Sequence, residues 1–198
     1  MTGSSLTTMA RRGTHKTRRS AVAASIALGL ALAGCSAPAD QGRIVSHHPD
    51  GYPDVQASAA GAATCLPTSA AENRAAAQFT SQTRRARGLG ALRPRDDLAR
   101  AAASHACDMA RRGLMSHKGS RTSGPMQRVK AEGYAPRLTA ENIAAGPYGQ
   151  SQVLSAWSGS PGHTSNILIP GLRDFGIGRA VGSDGRTVFW SAVYAIPR

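Results

Sequence analysis

The chain has 198 residues, with 24 Lys or Arg against 11 Asp or Glu, and its formal net charge is +13. This balance favours anionic partners such as membrane headgroups, wall polymers or nucleic acid, although an Arg- and Ala-rich composition also follows from a GC-rich genome. No internal repeat is visible, which excludes a repeat architecture.

The first 34 residues predict an export signal. Residues 1–20 carry five basic residues and no acidic residue, and the apolar, uncharged run 21–34 follows them. A basic segment ahead of an apolar segment of this length is typical of a secretory signal peptide. The run is too short to cross about 30 Å of hydrocarbon as a helix, which takes roughly 20 residues. We therefore expect residues 1–34 to be a signal peptide and the protein to be exported.

The end of the apolar run resembles a bacterial lipobox. Residues 32–35 are Leu-Ala-Gly-Cys, with small residues before a cysteine whose sulfur accepts diacylglycerol. Cys35 is therefore the predicted lipidation site of a lipoprotein anchored at the cell envelope, with the membrane as a partner. The alternative is an ordinary signal peptide with an incidental cysteine. Without the five basic residues before Cys35 a net charge of +8 remains, but export argues against nucleic acid as a partner.

Residues 35–64 predict a flexible tether. The segment is rich in Ala, Pro, Ser, Gly and Asp and holds few large apolar residues, so it cannot bury a core. About 30 residues of such chain span an r.m.s. distance on the order of 30 Å. The folded domain is predicted over residues 65–198, and this length is enough for one hydrophobic core.

Helical patterns come first in the predicted domain and strand patterns come last. Ser69 and Glu72 match a capping box at the start of the first helix. Two β-rich segments near the C-terminus are joined by Gly-Ser-Asp-Gly, which predicts a hairpin. We expect an α+β domain with helices packed on a small antiparallel sheet. The predicted helices are 69–87, 94–112, 125–132 and 151–157, and the predicted hairpin strands are 174–181 and 186–195.

Two cysteines remain for the domain if Cys35 carries a lipid. Cys65 and Cys107 are an even pair in an oxidising compartment, and this predicts a disulfide. The chain-entropy model gives the long loop between them a stabilisation of roughly a few kcal/mol. The alternative is two free, buried thiols.

Two histidines and one glutamate are the candidate site residues. His117 lies in a polar loop after a helix end, His163 lies in a turn-rich segment, and Glu141 is a rare acid just before a short apolar strand. If they converge, they form either a divalent-metal site or an acid–base cluster. Neither His-Glu-x-x-His nor a CxxC pair is present. His105, on the apolar face of a predicted helix, is interpreted as a hydrogen-bonded core residue.

Several short motifs occur in one order along the predicted domain. They are HACDMA at 105–110, SH at 116–117, ENIAAG at 141–146, SPGHTSNIL at 160–168 and FGIGR at 175–179. In this order the chain resembles the CAP superfamily, which groups cysteine-rich secretory proteins, antigen 5 and pathogenesis-related proteins. The resemblance runs from about residue 70 to the C-terminus and is closest to the compact bacterial secreted branch.

The resemblance implies an α-β-α sandwich with a cleft that holds two His and two acidic residues, sometimes with a divalent metal. By position, the first His falls on His117, the first acid on Glu141 and the second His on His163. The second acid falls near residues 158–160, where this chain has Ser-Gly-Ser. A set of two His and one Glu is expected to bind a divalent cation such as Zn²⁺ more weakly than the family's set of two His and two acids. It leaves the fourth coordination position to water, as in catalytic zinc sites.

The sequence leaves three functions open. The resemblance favours a non-catalytic binding domain, anchored through Cys35, with a lipid, a sterol, another envelope component or a divalent metal as its ligand. The second is a metal-dependent hydrolase or protease, with Glu141 as general base and His117 and His163 as metal ligands or electrostatic stabilisers. The third is a module that binds cell-wall polymer through its basic surface. No pattern indicates an oligomeric state.

Overall fold

The structure, a computed structural model of the protein, describes residues 54–198. The predicted signal peptide at 1–34, the predicted lipidation site Cys35 and the first part of the predicted tether lie outside the described residues. No helix within residues 54–198 is long and apolar enough to span a membrane. In chain order the described elements are β1 (Val55–Gln56), β2 (Thr64–Leu66), α1 (Ala70–Arg85), β3 (Arg93–Pro94), α2 (Asp96–Arg112), β4 (Leu114–Met115), α3 (Pro125–Ala131), β5 (Pro136–Gly146), α4 (Gln150–Gly159), α5 (Pro161–Ile167), β6 (Asp174–Val181) and β7 (Val188–Pro197).

One sheet forms the middle of the domain. Its strand order is β2-β6-β7-β5, and β3 adds to β6 as a short parallel pair. The other pairings in this sheet are antiparallel. The predicted hairpin is confirmed as β6 and β7, and the Asp184 carboxylate accepts hydrogen bonds from the backbone N–H groups of Arg186 and Thr187 in the turn. Strand β5 is longer than the short strand predicted, because it pairs with β7 along its whole length.

The four predicted helices are present as α1 to α4. At the start of α1 the Ser69 hydroxyl accepts from the Glu72 backbone N–H at 3.2 Å, and the Glu72 carboxylate accepts from the Ser69 N–H at 2.8 Å. Helix α2 ends at Gly113, whose φ of 63° favours glycine. Helix α5 differs from prediction, because the segment was expected to form turns. Pro161 occupies its first turn, a position where a missing N–H costs nothing.

The sheet lies between two layers of helices. Side chains alternate along each strand, so both faces of the sheet carry apolar residues that pack against helices. Trp190 and Tyr194 of β7 belong to a core cluster with residues of α1, α4 and α5. Phe189, on the opposite face, packs with α2. Gly176 and Gly178 of β6 lie directly against α2, where a Cβ on either glycine would collide with the helix backbone. The predicted α+β class and α-β-α sandwich are therefore confirmed.

The folded domain begins earlier than the predicted boundary at residue 65. Strand β1 pairs with β4, so that Val55 lies opposite Met115. The backbone N–H groups of Ala57 and Ser58 both donate to the Gly113 carbonyl. Residues 54–64 of the predicted tether therefore belong to the fold. Backbone hydrogen bonds hold this segment together with the packing of Val55, Ala57 and Ala63 against the core. Backbone bonds leave no apolar pattern in the sequence, and these three residues are too few to form one.

The predicted disulfide between Cys65 and Cys107 is present. It joins β2 to α2, with the two Cα atoms 5.1 Å apart, within the usual range for disulfides. The bond closes a loop with a sequence separation of 42 residues. It therefore ties the first strand of the main sheet to the helix that covers that sheet.

Candidate functional site

Glu141 is a buried carboxylate in the middle of β5. Its side chain is 1% exposed and lies on the sheet face that α2 covers. Ser191, on the neighbouring strand β7, donates its hydroxyl hydrogen to Glu141 Oε1 at 3.0 Å. A carboxylate this deeply buried is unfavourable unless hydrogen bonds and an opposite charge compensate it. The residues around Glu141 provide both.

Arg128 supplies the opposite charge. Its Nη2 donates to Glu141 Oε1 at 2.7 Å and to Oε2 at 2.8 Å, while its Nη1 donates to the His117 carbonyl and the Thr122 hydroxyl, both at 3.1 Å. Arg128 is 6% exposed, and the next residue of α3, Val129, is fully buried. Helix α3 therefore presents a guanidinium to β5 and fixes the loop that carries His117.

His117 is the predicted site residue that the structure brings to Glu141. It follows β4 and is 8% exposed, and its Nδ1 lies 2.7 Å from Glu141 Oε2. Because the carboxylate is an acceptor when ionised, Nδ1 carries the proton and donates it to Glu141. The carboxylate therefore receives hydrogen bonds from Arg128, His117 and Ser191. We call these four residues the Glu141 cluster.

His105 of α2 lies at the edge of the Glu141 cluster. Its Nε2 lies 3.0 Å from the Ser116 carbonyl and 3.8 Å from Glu141 Oε2. The Ser116 carbonyl accepts only if Nε2 is protonated, so Nδ1 carries the lone pair when the ring is neutral. Burial lowers the pKa of His105 to about 4, which keeps the ring neutral at physiological pH. His105 is thus a hydrogen-bonded core residue, as its position on the apolar face of α2 predicted.

Arg128 keeps Glu141 ionised. Burial by itself raises the pKa of Glu141, but the Arg128 charge, together with His105 and the His117 hydrogen bond, outweighs it and holds that pKa well below its usual range. Since His105 is neutral above about pH 4, the guanidinium is the charge that matters at neutral pH. An acid with so low a pKa is a weak proton acceptor near pH 7.

His163 lies on the other side of β5. Successive residues of a strand face opposite sides of the sheet, so Asn142 points away from the Glu141 cluster, and its Nδ2 donates to the His163 carbonyl at 3.2 Å. The His163 ring lies 6.3 Å from the ring of Trp157, in the layer formed by α4 and α5. His163 thus lies in the helical layer on the sheet face opposite the one to which Glu141 points.

Ser160 occupies the region where the resemblance placed a second acid. Its hydroxyl oxygen lies 2.9 Å from His163 Nδ1, while Ser158 pairs its hydroxyl with that of Thr83 at 3.0 Å. His163 therefore contacts a neutral hydroxyl where a carboxylate would have added negative charge. The change removes one potential anionic metal ligand from this layer.

A divalent metal does not fit the predicted set of His117, Glu141 and His163. Within the described part of the chain, no three His, Cys, Asp or Glu side chains come together in a way that would hold a metal ion. Both oxygens of Glu141 are occupied by Arg128 Nη2. A guanidinium in direct contact with a carboxylate also repels a cation that approaches the same oxygens.

The sequence analysis missed Arg128 and Ser191. Arg128 lies 13 residues before Glu141, on a different element, and nothing in the local pattern of a short helix marks one arginine as buried. Ser191 lies within an apolar strand, where its position opposite Ile143 becomes visible only once the register of β5 and β7 is known. A rare acid in a basic domain was the one available signal, because a buried acid requires a cation.

Comparison with known proteins identifies one family. A family model described as "Cysteine-rich secretory protein family" (CAP) matches residues 77–194. The protein YkwD of Bacillus subtilis strain 168 is 29% identical over 116 residues, which cover 58% of this chain and 45% of YkwD. The matched region therefore spans less than half of that relative.

Two solved structures share the fold. An extracellular protein of Bacillus anthracis with an SCP domain aligns with a TM-score of 0.56 and 23% identity, over 64% of this chain and 40% of that chain. An outer surface protein of Borrelia burgdorferi aligns with a TM-score of 0.57 and 21% identity, over 66% of this chain and 96% of that chain. At these identities the likeness concerns the fold alone.

Proposed function

Because this chain belongs to the cysteine-rich secretory protein (CAP) family, we propose that it is an exported, non-catalytic binding protein of the bacterial cell envelope. A lipid on Cys35 anchors it to the membrane. The domain then binds a lipid, a sterol or another envelope component. In this proposal the Glu141 cluster stabilises the binding domain and neither transfers protons nor holds a metal.

The contact between Arg128 and Glu141 carries the non-catalytic part of the proposal. A general base needs a pKa near the working pH and a free lone pair directed at its substrate. Glu141 has a lowered pKa, is 1% exposed, and shares both oxygens with Arg128. The same contact argues against a hydrolase in which a metal bound by Glu141 activates water.

Three observations support export and anchoring. The basic and apolar segments of residues 1–34 precede Cys35 in a lipobox-like context. The Cys65–Cys107 disulfide is of the kind that persists outside the reducing cytoplasm. The relatives that share the fold are described as an extracellular protein and as an outer surface protein. Together they favour a domain that works outside the cytoplasm.

Lipid attachment is tested by expressing the full chain in a bacterium fed with radiolabelled palmitate. We expect the wild type to carry label and to partition into detergent, and Cys35→Ala to lose both properties. The matched control is Cys65→Ala with Cys107→Ala, which removes two cysteines and leaves the label in place. Label that persists in Cys35→Ala overturns the anchoring proposal.

The non-catalytic proposal is tested by assaying purified protein against casein and nitrophenyl esters, with and without Zn²⁺. We expect the wild type to show no more turnover than the Glu141→Gln variant shows. Since Glu141→Gln disturbs a buried ion pair, His117→Gln is assayed beside it, and both are checked by circular dichroism. Turnover that both folded variants lose, and that Ser158→Ala retains, overturns the proposal.

Binding is tested by sedimenting the purified protein with isolated envelopes from the producing bacterium and, separately, with vesicles made from their extracted lipids. Retention on both supports a lipid or sterol ligand, and retention on envelopes alone supports another envelope component. Retention that disappears in moderate salt points to the charged surface of the domain, because exposed contacts are screened. No retention on either overturns the binding role.

A further inference from the structure

A cavity separate from the predicted site opens between α2, α3 and the loop that joins β4 to α3. Its volume is about 580 Å³, within the range of about 300 to 1,000 Å³ that is usual for small-ligand sites. His105 and Arg128 line it from the two helices, and Gly119 and Thr122 line it from the loop. His117, Glu141 and His163 are not among its lining residues.

Two buried polar atoms of cavity-lining residues have no hydrogen-bond partner within residues 54–198. They are Nδ1 of His105 and Nε of Arg128, in side chains that are 0% and 6% exposed. Because His105 Nε2 donates to the Ser116 carbonyl, Nδ1 is an acceptor that lacks a donor. Arg128 Nε is a donor that lacks an acceptor. Buried polar groups are rarely left in this state.

The rim of the cavity carries positive charge that the described residues do not neutralise. Arg111 and Arg121 line the cavity, and neither forms an ion pair with a residue in 54–198. The two carboxylates of the lining already have cations, since Asp108 pairs with Arg112 and Glu132 pairs with Arg100. The cavity therefore favours an anionic ligand.

Gly119 packs closely between His105, Asp108 and Thr122. A Cβ on this glycine would lie 3.7 Å from His105 Nδ1 and 2.6 Å from Thr122 Oγ1. The Gly119 N–H donates to the Thr122 carbonyl at 2.8 Å, and the Ser120 N–H donates to Asp108 at 3.0 Å. The loop is thus held against α2 by its backbone, and Gly119 lets the loop approach the unpartnered nitrogen of His105 closely.

We propose that this cavity binds a hydroxylated phosphate ester of the glycerol phosphate type. The phosphate lies between the guanidinium groups of Arg111 and Arg121 and accepts from Arg128 Nε, while a ligand hydroxyl donates to His105 Nδ1. Such a ligand satisfies one unmet donor, one unmet acceptor and two unpaired charges together. The site shares Arg128 with the Glu141 cluster but uses Nε, whereas Nη2 contacts Glu141. It does not depend on lipid attachment at Cys35.

A phosphate ester fits these groups better than a simple carboxylate does. Arginine forks match phosphate oxygens well, and a phosphate monoester offers three terminal acceptor oxygens where a carboxylate or a phosphodiester offers two. Ser104, Ser120 and Thr122 add hydroxyl donors to the same lining. A carboxylate without a hydroxyl would leave His105 Nδ1 without its donor. The glycerol phosphate unit occurs both as a free ester and as a phospholipid headgroup.

The test is calorimetric titration of the purified protein with sn-glycerol 3-phosphate at low salt. We expect saturable one-to-one binding that Arg111→Gln with Arg121→Gln weakens by about tenfold or more. The matched control, Arg85→Gln with Arg87→Gln, removes the same charge from exposed positions outside the cavity and leaves affinity within about twofold. No saturable binding, or equal weakening in both double variants, overturns the proposal.

Two further measurements separate shape from charge. Gly119→Ala keeps every charge but forces the loop to shift, because the new Cβ would lie 2.6 Å from Thr122 Oγ1, and we expect it to weaken glycerol phosphate binding by about tenfold. Inorganic phosphate lacks the glycerol hydroxyl groups, and we expect it to bind about tenfold more weakly than the ester to the wild type. Equal affinity for the two ligands, or an unchanged affinity in Gly119→Ala, overturns the assignment of the hydroxyl to His105.

The source of the phosphate ester is separated with lipid vesicles. Co-sedimentation with phosphatidylglycerol vesicles that free glycerol phosphate displaces, and that phosphatidylcholine vesicles do not reproduce, identifies the lipid headgroup as the ligand. Titration with the free ester but no co-sedimentation identifies a soluble ligand. If neither probe binds, the proposal is overturned.

Discussion

Arg128 Nη2 donates to both carboxylate oxygens of Glu141, at 2.7 and 2.8 Å. The pair joins α3 to the middle of β5, and both side chains are almost completely buried. An ion pair of this kind adds little to stability compared with a well-packed apolar pair. Removal of one partner, however, leaves a buried charge without compensation and destabilises the fold. The contact therefore makes α3 and β5 depend on each other.

A double-mutant cycle measures this dependence. We expect Arg128→Met and Glu141→Leu each to lower the free energy of unfolding by about 3–5 kcal/mol, because each leaves one charge buried without its partner. The double variant removes both charges, and its loss is expected to be clearly smaller than the sum of the single losses. Chemical denaturation at pH 7 gives the three values.

The control for the cycle is Arg85→Met, which removes an exposed arginine from the end of α1. We expect it to change stability by no more than about 0.5 kcal/mol. If the two losses in the Arg128–Glu141 cycle are simply additive, the pair is not coupled, and the buried contact does not hold α3 to β5.

The sequence predicted the elements that depend on local patterns. The capping box at Ser69, the helix end at Gly113 and the Gly-Ser-Asp-Gly turn each reflect a backbone preference of a few neighbouring residues. The four main helices and the hairpin followed from these signals and from periodicity. Helix α5 did not, because it is one short segment whose Ser-Pro-Gly start also fits a turn.

The candidate site was predictable only in part, because its residues meet through tertiary contacts. His117 and Glu141 were identified and do meet. Arg128 was missed because its partner is set by how α3 packs on β5. His163 was grouped with Glu141, although the alternation of β5 turns Glu141 towards α2 and Asn142 towards α5. The sequence contains that alternation, but it does not show which layer α5 joins.

The geometry predicts that the wild type takes up no Zn²⁺ at His117, Glu141 and His163, the metal ligands predicted from the sequence. In calorimetric titration we expect no one-to-one binding that His117→Ala with His163→Ala abolishes, because Arg128 occupies the Glu141 oxygens. His47 and His48, which are adjacent in the sequence, provide the control, since paired histidines bind zinc adventitiously. Weak uptake that is lost in His47→Ala with His48→Ala agrees with the prediction. Stoichiometric uptake that requires His117 contradicts it.

The burial of His105 leads us to predict that the protein loses stability on mild acidification. Burial lowers its pKa from 6.5 to about 4, so between these values the unfolded chain binds a proton that the folded protein does not. Stability therefore falls as the pH falls from 6.5, by about 2 kcal/mol at pH 5 and about 3 kcal/mol near pH 4. Glu141 adds to the loss mainly below its unfolded pKa of 4.5, so measurements above pH 5 largely leave out its contribution.

His105→Gln tests this assignment, because an amide can still donate to the Ser116 carbonyl but does not titrate. We expect the variant to be less stable at pH 7 and to lose most of the slope in unfolding free energy between pH 7 and 5. His47→Gln, at a position outside the described residues, serves as control and should keep the wild-type slope. An equal slope in His105→Gln assigns the pH dependence to other groups.

Arg84 is a buried arginine that connects several segments of the chain, and we predict that its substitution destabilises the domain. Its side chain donates to the carbonyl groups of Gly90, Ile167, Ile169 and Leu172 at 2.6 to 3.2 Å. These bonds tie the end of α1 to the last residue of α5 and to the α5–β6 connection. Burial lowers the pKa of Arg84, and within residues 54–198 it has no carboxylate partner.

Arg84→Lys therefore separates charge from geometry. The lysine keeps the positive charge but lacks the planar fork that reaches several carbonyl groups at once. Each buried carbonyl left without a donor costs about 1–3 kcal/mol, so we expect a loss of at least about 2 kcal/mol in unfolding free energy. Hydrogen exchange should rise most in residues 161–172. Arg85→Lys, one residue later and exposed, should match the wild type in both measurements. An unaltered Arg84→Lys would show that charge alone suffices at this position.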